Sequence, residues 1–245
     1  MQIGAVVKSL KFITLFLLDK LQALLSRSIN KGGSYMLTRK QSRKEEIANA
    51  LTHSLGILFC VIAMPIILNY TLEKSNWLTF ISVFAFGLGM LMVYSFSTFY
   101  HYTERERAKE ILLIADHISI YFLIAGTYTP LMIKYLEKNT AMIFLSVMWS
   151  IVVLASILKI FYIHRFKIFS LILYVTMGWM MIFVIKPLLN SIPTPVFAWI
   201  IAGGICYCIG VYFYVKSYKM YYHTVWHLFV LFGTISHFVS IYMSI

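Results

Sequence analysis

Charge is what this sequence has least of: 12% of its 245 residues are charged, and only nine are acidic. A soluble domain wets its surface with about 25% charged residues, so a separate water-soluble globule is excluded. The three cysteines, Cys60, Cys206 and Cys208, all lie inside apolar runs, which excludes a disulfide framework. Cys206 and Cys208 form a Cys-x-Cys pair that reads more readily as small packing residues than as metal ligands. Residues 1–35 show no clear small-residue cleavage site of the secretory type. Also missing is the roughly 10-residue alternation of a membrane β-barrel. What is present is apolar: 60% hydrophobic residues and a mean hydropathy of +0.81, in runs that recur from residue 47 to the C-terminus.

Seven such runs are marked off by polar breaks, at roughly 48–69, 78–100, 111–133, 140–158, 166–186, 195–214 and 222–244. Each is long enough to cross a bilayer as a helix. The expected fold is therefore an all-α integral membrane bundle of seven transmembrane helices over residues 45–245, preceded by a basic tail over residues 1–44. The tail holds a short apolar run, Phe12 to Leu18, flanked by Lys8, Lys11 and Lys20. It fits an interfacial amphipathic helix, or sequence upstream of a true start at Met36. Pro65 is expected to kink the first span, Pro130 with Gly126 to break the third, and Pro187, Pro193 and Pro195 to punctuate a loop.

The net charge of +12 and pI near 9.6 do not point to nucleic acid, because the basic residues sit in short loops between apolar runs, where lipid headgroups are the partner. Lys and Arg on alternate sides number 17 against four, and 12 against four when the tail before Met36 is dropped. The positive-inside rule then places the N-terminus in the cytoplasm and the C-terminus outside.

An ionisable residue in or at the edge of a span is costly enough to be a functional candidate by default. Ser97 and His101 close the second span, Asp116 lies in the first turns of the third, and His223 and His227 open the seventh, so all five fall on the side assigned to the cytoplasm. Residues four apart share one helix face, which pairs Ser97 with His101 and His223 with His227. Two imidazoles from one helix and a third from another supply the three nitrogens of a catalytic zinc, with Asp116 placed to orient or deprotonate a water in the fourth position. The alternative for each histidine is an interfacial anchor, and another imidazole-binding metal, iron included, stays open. His237 is about 21 Å along the helix from His223, too deep to share one metal, and reads as a polar core contact. Glu46, Asn49 and His53 form a polar stripe on the first span that suits a supporting shell. His117 points about 100° away from Asp116, and His164 sits in a basic loop. Tyr221, Tyr222, Trp226 and Trp77 read as interface belts, and Gly203, Gly204 and Gly210 as points of close helix approach.

The string from Glu45 through Asn49, His53 and Gly56 resembles the opening signature of the bacterial haemolysin III family, related to the progestin and adipoQ receptors and to the alkaline ceramidases. Ser97 to His101 is similar to the family's Ser-x-x-x-His. Asp116 to Tyr121 with Ala125 to Pro130 resembles its third-span motif, and His223 to His227 through His237-Phe238 its last. The resemblance covers about residue 45 to the end. It implies seven helices with a cytoplasmic N-terminus and a Zn2+ near the cytoplasmic face. His101, His223 and His227 would be its ligands, Asp116 would hold the metal-bound water, and Ser97 would support the site by hydrogen bonding. The activity expected from site and resemblance together is zinc-dependent hydrolysis of a lipid amide, with membrane lipids as partners. A pore-forming cytolysin and a receptor-like regulator of membrane lipid state are the alternatives, and oligomeric state is not readable from the sequence.

Overall fold

A computed structural model describes residues 39–163, 165 and 167–245. His164 and most of the basic tail therefore lie outside the described residues. Among the described residues eight α-helices follow in order: α1 Arg43–Lys74, α2 Trp77–Tyr102, α3 Glu106–Tyr135, α4 Lys138–Tyr162, α5 Lys167–Gly178, α6 Ile185–Ser191, α7 Thr194–Val215 and α8 Tyr222–Tyr242. A 3-10 segment, Met180–Val184, joins α5 to α6, and the three pieces form one span, Ile168–Ser191. Seven helical spans are thus long and apolar enough to cross a membrane, and no strand occurs among the described residues. Their outer faces carry leucine and isoleucine, as on α1 at Leu51, Leu55, Leu58 and Ile62, because lipid tails solvate such side chains as well as a protein core does.

Helix starts are set by local chemistry. Ser42 and Glu45 form a reciprocal capping box at α1, the Ser42 backbone N–H donating to the Glu45 carboxylate at 3.0 Å. The Asn76 side chain accepts from the Thr79 N–H at 2.9 Å at the start of α2. At α4 the exposed Glu137 carboxylate accepts from the Asn139 and Thr140 N–H groups at 3.0 and 3.2 Å, and those two bonds hold its pKa below the ordinary glutamate value.

Helix packing runs α1 on α2, α2 on α3, α3 on α4 and α7 on α8, with α8 returning to α1, while α5 leans only lightly on α3. Without a hydrophobic drive between helices in lipid, close backbone approach supplies the cohesion. Gly89 of α2 faces the Leu123 backbone of α3, and Gly126 of α3 faces Ala85 and Phe86 of α2, so a Cβ at either glycine would lie 2.9 Å from backbone atoms.

Several details differ from the sequence reading. The third span does not break at Pro130: α3 runs past it to Tyr135, the lost N–H bond costing one rung of an otherwise continuous helix. Pro187 is the third residue of α6, where a backbone N–H has no intrahelical acceptor anyway, so the fifth span continues to Ser191 instead of ending near Lys186. Gly204 has nothing within 4 Å of a would-be Cβ and faces open space, whereas Gly203 and Gly210 do make the close contacts expected, against His237 and Trp226. Trp226 packs over Gly210 and beside Tyr214, at a ring separation of 5.5 Å.

Candidate metal centre

The start of α1, the end of α2, the start of α3 and the start of α8 meet at one end of the bundle. Contacts between chain segments tie this end together: Arg43 bonds the Tyr102 carbonyl and the Glu104 carboxylate, and Glu45 accepts the Tyr221 backbone N–H at 3.0 Å. That last bond holds Tyr221 in the left-handed conformation, φ 59°, from which α8 departs. Two residues later α8 presents His223, and one turn further His227.

His101, His223 and His227 each offer a nitrogen within 4.8 Å of the others. Among the described residues this is the cluster able to hold a metal ion through three or more such ligands. The rings are close, with centroids 4.6 Å apart for His223 and His227, and 5.0 and 5.2 Å from His101 to His227 and His223.

The hydrogen bonds around these rings decide which nitrogen is available. His101 Nδ1 lies 2.6 Å from a Glu46 carboxylate oxygen, to which it donates, and the other Glu46 oxygen accepts from Lys109 Nζ at 2.7 Å. His227 Nδ1 lies 3.3 Å from the Asn49 carbonyl, which can only accept. Both rings therefore carry hydrogen on Nδ1 and a lone pair on Nε2. His101 Nε2 is buried and has no hydrogen-bond partner among the described residues, a costly state in a protein interior that coordination to a metal would relieve. Three imidazoles, two of them with Nδ1 anchored, fit a zinc-type ion.

The cluster stands at one end of a cavity of about 790 Å³ with mainly apolar walls, a size suited to a small molecule or an acyl chain. Asp116 lines the same cavity, and its carboxyl has Ser97 beside it within interaction reach. All five residues singled out from the sequence thus come to one place. His117 also lines the cavity despite its angular offset from Asp116, with Nδ1 donating to the Leu113 carbonyl at 2.8 Å. His237 is deep in the cavity wall, away from the cluster, as its spacing implies. Cys206 and Cys208 take no part in the cluster.

The polar stripe on α1 supports the ligands from below. Asn49 accepts from the Thr224 hydroxyl at 2.6 Å, and its amide nitrogen donates to Gln41. His53 stacks on His227. The bridge from Glu46 to Lys109 crosses 63 residues of sequence and left no signal in the spacing.

The model of the Haemolysin-III related family matches residues 41–238. The Hemolysin-3 homolog of Bacillus subtilis (strain 168) is 37% identical over 198 residues, covering 81% of this chain and 93% of its own length. Hemolysin-3 of Bacillus cereus is 34% identical over 203 residues, with 81% and 93% covered. The Monocyte to macrophage differentiation factor of Homo sapiens is 24% identical over 230 residues, covering 91% of this chain and 92% of its own.

Proposed function

This multi-pass membrane protein belongs to the haemolysin III family, and on that premise we propose that it is a zinc-dependent hydrolase of lipid amide bonds at the cytoplasmic leaflet. One observation carries the reading: three histidines from two helices converge within 4.8 Å at the end of an apolar cavity that Asp116 also lines. A zinc ion held there supplies a Lewis acid for a carbonyl oxygen and lowers the pKa of water toward about 7.

The protein's own residues supply the rest. The apolar cavity walls, Leu123, Ile124, Ile200 and Val230 among them, hold an acyl chain and exclude bulk water, leaving the amide at the polar end. Asp116 accepts a proton from the attacking water at its carboxylate and returns it to the amine nitrogen. The acyl C–N bond breaks, the water oxygen ends on the acyl carbon, and the amine leaves with the proton. Ser97, buried beside it, fixes the orientation of that carboxyl. The site lies at the end of the bundle richest in Lys and Arg, which the positive-inside rule assigns to the cytoplasm.

The test is metal content and amide hydrolysis of detergent-purified protein beside His223→Ala/His227→Ala, with element-specific mass spectrometry on both. About one zinc per chain, lost together with turnover of a long-chain N-acyl amine in the variant, is the expected result. Equal near-zero metal in both, after purification without chelators, would move the weight to a pore or a regulator. The mainly apolar cavity wall favours the hydrolase over a water-filled pore.

A further inference from the structure

The hydrogen bonds to His101 set it apart from the other two histidines, and they come from an acid that the proposed chemistry does not use. Glu46 spends both carboxylate oxygens: one accepts from His101 Nδ1 at 2.6 Å, the other from Lys109 Nζ at 2.7 Å. An ammonium at that distance keeps the carboxylate ionised, and an ionised carboxylate accepts only, so the hydrogen on His101 is fixed at Nδ1. The Asn49 amide, at 3.5 Å from the same nitrogen, is a weaker competitor. The three groups come from α1, α2 and α3, so the bridge spans three helices and sets the rotation of the imidazole about its own axis. No comparable acid serves the other rings. His227 leans on a backbone carbonyl and a hydroxyl at 3.3 and 3.4 Å, and His223 has ring contacts with Tyr214 and its fellow histidines.

We propose that Glu46, held ionised by Lys109, is the positioning residue of the metal centre, fixing the tautomer and orientation of His101 and raising its strength as a ligand. The inference rests on the metal reading of the three histidines given above. A carboxylate behind a ligating imidazole makes the ring a better donor and removes its freedom to turn away, and loss of such a partner commonly weakens metal binding by about 10- to 100-fold. Glu46 does not touch the reacting atoms in this account. It acts through His101.

The experiment measures zinc affinity by chelator competition and the visible absorption of the cobalt-substituted protein, on the full chain in detergent. It compares the wild type with Glu46→Gln, Lys109→Met and, as a control, Glu104→Gln, whose carboxylate pairs with Arg43 at the same end of the bundle. Glu46→Gln is expected to weaken zinc binding by about 10- to 100-fold and to shift the cobalt spectrum. Lys109→Met is expected to act in the same direction by less, and Glu104→Gln to match the wild type. A wild type that binds no zinc overturns the metal reading and this inference together. A wild type that binds zinc beside a Glu46→Gln protein with unchanged affinity and spectrum overturns this inference alone. Should Glu46→Gln not fold, judged by melting of the zinc-free proteins, unchanged zinc affinity in Lys109→Met overturns it.

Discussion

The imidazole of His53 lies face to face with that of His227, ring centroids 3.7 Å apart and planes tilted by 36°. His53 is buried, and neither of its ring nitrogens has a hydrogen-bond partner among the described residues. The ring thus supports a metal-ligand candidate by shape, while its two nitrogens find no protein partner there.

That division of roles separates two substitutions. His53→Ala removes the plate under His227 and leaves a void, and is expected to cost about 2 kcal/mol. His53→Phe keeps a ring of similar shape and removes two unsatisfied polar atoms, so its stability is expected to stay within about 1 kcal/mol of the wild type or to rise. Thermal melting in detergent reads both. Equal losses for Phe and Ala would show that the His53 nitrogens hold a bonded water or ion.

The glycines give a graded series. A Cβ at Gly126 would meet the Ala85 carbonyl oxygen at 2.9 Å and Phe86 Cα at 3.0 Å, backbone atoms that move only if α2 moves. At Gly203 it would meet the His237 ring at 2.6 Å, which a side-chain rotation relieves in part, and at Gly204 it would meet nothing within 4 Å. Gly126→Ala is expected to destabilise most, by about 3 kcal/mol, Gly203→Ala by about 1 to 2, and Gly204→Ala by less than about 0.5. Melting temperatures in any other order would contradict the packing of α2 on α3.

The spans are legible because each apolar run is about as long as the bilayer core is thick and polar residues or prolines separate one run from the next. The five site residues were legible because polar groups inside a membrane are expensive and few. What spacing cannot carry is contact between distant segments. Glu46 and Lys109 are 63 residues apart, and only the fold brings them into direct contact, with Glu46 bridging Lys109 and His101. Pro130 and Pro187 misled because proline penalties assume a helix alone in solvent.

Tyr221 stores backbone strain next to the site. Its left-handed conformation disfavours a side chain with a Cβ, and the Glu45 carboxylate holds it there through the backbone N–H at 3.0 Å. Tyr221→Gly is expected to raise stability by about 0.5 to 1 kcal/mol, since the exposed phenol contributes little and glycine adopts this geometry without penalty. Glu45→Ala is expected to lower it by about 2 kcal/mol, because the capping box of α1 and the tether to α8 go together. In the double variant the two effects should fail to add, since the strain and its restraint are one interaction. Additivity within about 0.3 kcal/mol would show that Glu45 acts on α1 alone.

Asp116 and the histidines share a cavity but have different work in the proposed reaction, and Asp116→Asn separates them. The amide keeps the shape of the carboxyl and its place beside Ser97, and removes only the capacity to accept a proton. Zinc content is therefore expected to match the wild type while turnover of the N-acyl amine falls by about 10²- to 10⁴-fold, the usual contribution of a positioned general base. Ser97→Ala should lower turnover less, because Asp116 keeps its proton chemistry and loses only an orienting neighbour. Turnover unchanged in Asp116→Asn would remove this carboxyl from the mechanism and require another group to accept the proton. Loss of zinc in the same variant would instead make Asp116 part of the binding site, and the fourth position around the metal would then belong to the protein.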